Sequence, residues 1–95
     1  MILRFHPAAR EELREARLWY EERSPLSAVA FAQEVSAAVS RIAEAPMRYP
    51  VAEHGTRRVV LQRFPYNVFY RAGPEETIIV AVAHQKRLPG YWSGR

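Results

Sequence analysis

"RRVVLQRFPYNVFYRAGPEETIIVAVAH", residues 57–84, is the stretch whose reading decides the fold of this chain. Its valines, isoleucines and aromatic residues come in three runs, "RRVVLQRF", "YNVFYR" and "TIIVAVAH". A Pro-containing break at Phe64 to Tyr66 separates the first two runs, and "AGPEE" separates the last two. β-Branched and aromatic side chains pack well on a pleated surface, and short breaks of this composition turn the chain back on itself. The stretch predicts a three-stranded antiparallel meander.

Just upstream, "MRYPVAEHGT" (47–56) gathers proline, glycine and polar groups, the signature of a loop. Before it the apolar period changes from two to between three and four. Ala28, Phe31, Val35, Ala38, Val39 and Ile42 form one helical stripe. Ser24 and Pro25 open that helix as a cap and first-turn pair, and Pro46 ends it near Ala45 by disfavouring helical geometry in the residue before it. Ahead of Ser24, Ala9, Leu13, Ala16 and Tyr20 recur at helical steps with Trp19 beside them, which predicts a helix over roughly residues 7–23. Pro7 suits its first turn, and Glu11 and Glu12 follow where the helix dipole favours negative charge. "ILRFH" alternates as a short first strand does.

The break between the helices is so short that they must form an antiparallel hairpin, and its many alanines permit close approach. The expected architecture is α+β: a short N-terminal strand, an antiparallel helical hairpin and the three-stranded antiparallel meander. The hairpin packs on one face of the sheet, and the other face with the strand ends is left to carry arginine. At 95 residues the chain holds one domain, 1–95, with one modest core.

Composition narrows the function. Hydrophobic residues are 48% and charged ones 25%, a globular balance with no apolar run long enough to span a bilayer. The N-terminal stretch lacks the layout of a signal peptide, so a cytoplasmic protein is expected. No cysteine is present, which removes disulfides, thiolate nucleophiles and zinc–thiolate sites. The net charge of +4 is unevenly spread. Residues 1–46 carry six Arg against seven Glu, a net of −1, while residues 47–95 carry seven Arg and one Lys against three Glu, a net of +5. A one-sided excess of guanidinium forks points to a polyanion or an acidic protein partner.

The end of the chain, "VAHQKRLPGYWSGR" (82–95), concentrates chemistry. His84, Arg87, Tyr91 and Trp92 come within reach of one another if this tail folds back over the sheet, and Arg63 and Arg71 stand at the ends of the two preceding strands. Such a cluster suits metal-independent cleavage of a phosphodiester. A base takes a ribose 2′-hydroxyl proton, an acid protonates the leaving oxygen, arginines stabilise the charge, and nearby rings stack on bases. The alternative is a strand end whose Tyr–Trp pair plugs the core. His6, His54 and His84 lie far apart and no H-E-x-x-H occurs, so no metal is expected; the four glycines are scattered and form no phosphate-cradling loop, so no cofactor is expected. "REELREARLWYEE" (10–22) reads as a solvated helix face without functional weight.

The layout "AAREELREARLWYEE", a second helix closing in "RIAEAPMRYP", then "RRVVLQRFPYNVFYR" and "IIVAVAHQKRLPGYW" resembles the RelE/ParE superfamily of bacterial type II toxin–antitoxin toxins over nearly the whole chain. Its most specific pieces are Arg63 followed by the Y-x-V-x-Y strand of Tyr66, Val68 and Tyr70, and the H-x-x-R-x-P-x-Y-W ending from His84 to Trp92. The resemblance implies the strand–helix–helix–sheet fold and a cognate antitoxin, acidic and partly disordered alone, that neutralises the toxin.

Two mechanisms are implied. RelE-like members are ribosome-dependent, metal-independent endoribonucleases (mRNA interferases); onto their pattern Arg63, Arg87 and Tyr91 carry over, and with His84 as acid or base they make the expected catalytic set. ParE-like members poison DNA gyrase without cutting RNA. In either case Arg57, Arg58, Arg71, Lys86 and Trp92 are expected to contact nucleic acid or the target. Gln85, and Arg48, His54, Arg57 and Arg58 in place of lysines, leave both branches open. A basic RNA-binding module without catalysis, or a degenerate toxin that only binds antitoxin, would share these features.

Overall fold

A computed structural model describes residues 2–95. It contains β1 (Ile2–Phe5), α1 (Pro7–Arg23), α2 (Pro25–Glu44), a 3-10 turn (Glu53–Gly55), β2 (Arg57–Val60), β3 (Tyr66–Ala72) and β4 (Glu76–His84). Among the described residues no helix is long and apolar enough to cross a membrane.

The caps explain the helix boundaries. Ser24 alone separates α1 from α2 and serves both: its N–H donates to the Tyr20 carbonyl at 2.7 Å, and its hydroxyl accepts the Ser27 N–H at 3.2 Å. At the start of α1 the cap is His6, whose Nδ1 accepts the Ala8 N–H at 3.0 Å. The first turn of α1 holds no acidic residue, so the expected dipole role of Glu11 and Glu12 is corrected. Glu11 instead pairs with Arg14 one turn on, and Glu12 turns inward.

The meander forms as expected, with β2 antiparallel to β3 and β3 antiparallel to β4, except that its first strand is shorter than the run 57–64: β2 stops at Val60 and residues 61–65 make the turn. The first strand then joins the same sheet, parallel to β4 at its free edge, giving a mixed four-stranded order β1-β4-β3-β2. Crossing from β1 to the meander through the helical hairpin is what permits this parallel pairing. β1 stops at Phe5, opposite Ile79, whereas β4 runs on to His84. The edge of β4 beyond Ile79 therefore has no strand beside it.

A register shift in β3–β4 decides which side chain faces where. Phe69 lies opposite Ala81 and Tyr70 opposite Ile79, which leaves Val80 as an extra residue. Ahead of the bulge Ile79 faces the helices; past it Val82 does, while Val80, Ala81 and Ala83 all turn to the other face. A bulge re-aims side chains in this way, and without it the faces of everything downstream would be exchanged.

The sheet consequently has two cores. On the helix side Ala9, Ala16, Phe31, Val35, Ala38 and Ile42 pack against Val59, Val68, Tyr70, Ile79 and Val82. Phe31 is wholly buried, worth about 2–3 kcal/mol by area. On the other side Phe69, Val80, Ala81 and Ala83 close around Trp92. The expectation that this second face is free is corrected: the tail folds back and covers it.

Candidate functional site

Glu12 organises the site. Its carboxylate, on the inner side of α1, accepts the Val82 N–H at 3.0 Å and the Tyr91 hydroxyl at 2.7 Å. Arg95 donates to it at 2.9 Å, and Arg87 stands 3.5 Å away. Arg95 also donates to the Val80 carbonyl at 3.0 Å. Together with the His6 N–H on the Ile79 carbonyl, these side chains supply the partners that a neighbouring strand would have given β4. One helix residue thus satisfies a sheet edge and fastens the tail. Sequence reading assigned this helix face no function. The available signal was spacing: Glu12 lies three residues after Ala9 and four before Ala16, on the buried stripe, where a carboxylate needs partners.

Tyr91 is held between charges. The Arg87 guanidinium lies 3.6 Å from its ring centroid and that of Arg95 5.2 Å. Burial first, and then donation to Glu12, push its phenol well above the ordinary 10.0. A hydroxyl already given to a carboxylate is a poor proton acceptor at neutral pH.

His84 ends β4, and past the bulge its ring meets Tyr66 edge-on at 5.1 Å. Its Nδ1 accepts the Lys86 N–H at 3.1 Å, which assigns the neutral ring's proton to Nε2. It lines a cavity of about 460 Å³ between α1 and the end of the sheet, together with Glu15, Trp19, Tyr20, Tyr66 and Arg87. Among the described residues no three His or Glu side chains gather as a metal site would need.

The cations divide into two sets. Arg57 donates to the Tyr49 carbonyl at 2.6 Å and bridges the loop after α2 to the sheet. Arg71 lies at the far end of β3 from His84, where it donates to the Arg95 carbonyl at 2.6 Å and the His54 carbonyl at 3.0 Å. Both were expected at the target; their guanidinium groups instead tie the backbone together. Trp92, expected in the same role, is entirely buried, stacked 4.5 Å from Phe69 and edge-on to His54, and its Nε1 has no hydrogen-bond partner among the described residues. Its size serves the second core.

The other set is exposed. Arg58, Arg63 and Lys86 form no ion pair among the described residues, and Arg87 is 56% exposed despite Glu12. Arg63 stands in the turn after β2, where Glu34 of α2 accepts the Gln62 and Arg63 N–H groups at 2.6 and 3.2 Å and fixes the backbone. Glu34 is a second positioning residue that sequence reading missed. The Gln85 N–H donates to the Pro65 carbonyl at 2.8 Å, which holds this turn beside the start of the tail. Arg63, His84, Lys86 and Arg87 thus share one end of the sheet, and Arg71 does not.

The structure of a chromosomal ParDE toxin–antitoxin system from P. aeruginosa matches this fold with a TM-score of 0.77 at 20% identity. The match covers 88% of this chain and 95% of that one. No curated protein matches the chain by sequence. The family model described as "ParE toxin of type II toxin-antitoxin system, parDE" matches residues 3–89. With the helical hairpin, the meander and all of β1 but Ile2 inside that span, the chain belongs to the ParE toxin family of type II toxin–antitoxin systems.

Proposed function

We propose that this chain is a cytoplasmic, growth-inhibiting toxin that acts by binding a protein target, DNA gyrase, and is held silent by its antitoxin. The observation that carries the reading is the Glu12 cluster. The Tyr91 hydroxyl and one side of Arg87, both expected in an RNA-cleaving set, are engaged by one carboxylate. Arg58 lines a recess with Leu88, which is 83% exposed, and Arg63 and Lys86 stand exposed as further cationic contacts. A bare apolar side chain amid free cations suits an acidic protein surface with an apolar recess better than it suits an RNA backbone. In this reading Arg63, Lys86 and Arg87 bind the target, while His84 and Tyr91 hold the shape of that edge.

The test pairs two readouts on induced protein. Gyrase-dependent DNA damage with intact messages is expected. New RNA 5′ ends phased with codons inside translated regions would overturn the reading and return His84, Arg63, Arg87 and Tyr91 to catalytic roles. Growth without arrest would leave an RNA-binding module or an inactive relative.

A further inference from the structure

The 460 Å³ cavity beside α1 differs in charge from the rest of the basic half. Two carboxylates reach it, from Glu12 and Glu15, against the single guanidinium of Arg87. Arg87 lies against Glu12 and the Tyr91 ring. Glu15 has neither a hydrogen bond nor an ion pair among the described residues; Arg14, which attracts it electrostatically, is bonded to Glu11. A chain of net charge +4 thus opens one cleft with a carboxylate at its wall that no hydrogen bond or ion pair engages.

The remaining walls are aromatic. Trp19 is half exposed, and its indole already carries the Arg23 guanidinium 3.6 Å from the ring centroid. Tyr20 meets Trp19 edge-on at 5.1 Å, and Tyr66 completes the aromatic lining. A carboxylate with ring faces around it is the chemistry that receives a cation on an apolar stem, and a planar guanidinium gains most from it because it both stacks and forks.

Charge also says how that cation arrives. The overall positive field depletes small free cations near this surface. A cationic side chain on a partner already anchored to the basic half faces no such penalty, because tethering raises its local concentration. We propose that this cleft receives an arginine side chain of the antitoxin, its guanidinium on Glu15 and its stem against Trp19 and Tyr66. The inference rests on the reading of the chain as an antitoxin-neutralised toxin, and adds to it the chemistry of one anchor.

The probe is N-acetyl-arginine amide, titrated into the purified full-length chain and followed by the indole N–H resonances in NMR. Trp19 lines the cleft and Trp92 is buried, so the two signals separate a cleft event from a general one. Saturable movement of the Trp19 signal alone is expected, with N-acetyl-norleucine amide weaker by roughly tenfold for want of the charge-assisted contact. Glu15→Gln should lose about as much, whereas Glu75→Gln, an exposed carboxylate in the turn between β3 and β4, should change nothing. Equal binding of the two amides, no movement of Trp19, or an unaffected Glu15→Gln chain would each overturn the site.

The assembled toxin–antitoxin complex identifies the occupant. The probe should no longer shift Trp19 there; an unchanged response would mean that the antitoxin does not fill the cleft. Growth arrest and antitoxin binding by the Glu15→Gln chain are scored separately. A chain that arrests growth and is neutralised with undiminished affinity sinks the anchor and leaves the toxin reading standing. A wild-type chain that no antitoxin binds sinks both.

Discussion

The Tyr91 hydroxyl donates to the Glu12 carboxylate at 2.7 Å, joining the second turn of α1 to a tail 79 positions away. The same carboxylate takes the Val82 N–H and the Arg95 guanidinium, so helix, sheet edge and tail meet in one group that is only 13% exposed. Such a cluster is cooperative: removing its centre leaves several donors unpaired at once.

Glu12→Ala is accordingly expected to destabilise the chain by about 3 kcal/mol, and Glu12→Gln by about 1–2 kcal/mol, in urea unfolding monitored by circular dichroism. Equal stability of wild type and Glu12→Ala would show that the tail is fastened elsewhere.

Alkaline pH should loosen the fold through its tyrosines. Burial raises the phenols of Tyr20, Tyr66, Tyr70 and Tyr91 above the ordinary 10.0. The folded state therefore keeps protons that the unfolded chain releases. Stability from this source is complete below about pH 10 and falls as pH rises beyond it, by up to roughly 1.4 kcal/mol per pH unit for each such phenol. Replacing Tyr91 by Phe should make the decline shallower, as read from unfolding midpoints between neutral and strongly alkaline pH.

Gly90 should resist substitution. Its φ is +87°, and a Cβ there would stand 2.9 Å from Nε2 of His54. Gly90→Ala combines backbone strain with that clash, for an expected loss of about 1–3 kcal/mol. Adding His54→Ala should recover the steric part and leave the backbone part. Full recovery in thermal unfolding would mean that the positive φ carries no penalty.

The two sets of cations should separate in one experiment. Lys86→Ala and Arg63→Ala are expected to abolish growth arrest while changing stability by less than about 0.5 kcal/mol, as exposed side chains do. Arg71→Ala, which strips the Arg95 and His54 carbonyls of their donor, should cost about 1–3 kcal/mol. Arrest by the Lys86→Ala and Arg63→Ala chains at wild-type levels would remove this edge from the target surface.

Much of the fold is legible in local sequence. Ser24 with Pro25 marks the hairpin because a hydroxyl cap and a pre-set φ act within one turn, and the stripe from Ala28 to Ile42 is the buried face of α2. The site is less legible. Arg57 and Arg58 are adjacent in sequence, yet one guanidinium holds the Tyr49 carbonyl and the other stands in solvent. Nothing about residue type distinguishes them. The two tryptophans make the same point: Trp92, expected at the target, is core, while Trp19, beside the helical stripe, is half exposed.

By itself the sequence determined the order of elements, the helix boundaries and the basic half, since helical period, caps and strand-forming runs act between near neighbours, while its motifs carried the resemblance to the superfamily. Only the tertiary structure decided three things: that β1 borders β4, that an extra residue at Val80 turns His84 toward Tyr66, and that Glu12 gathers the tail. Each depends on groups brought together across long sequence separations, where one inserted residue in a strand exchanges faces and one carboxylate is shared among donors that local pattern cannot pair.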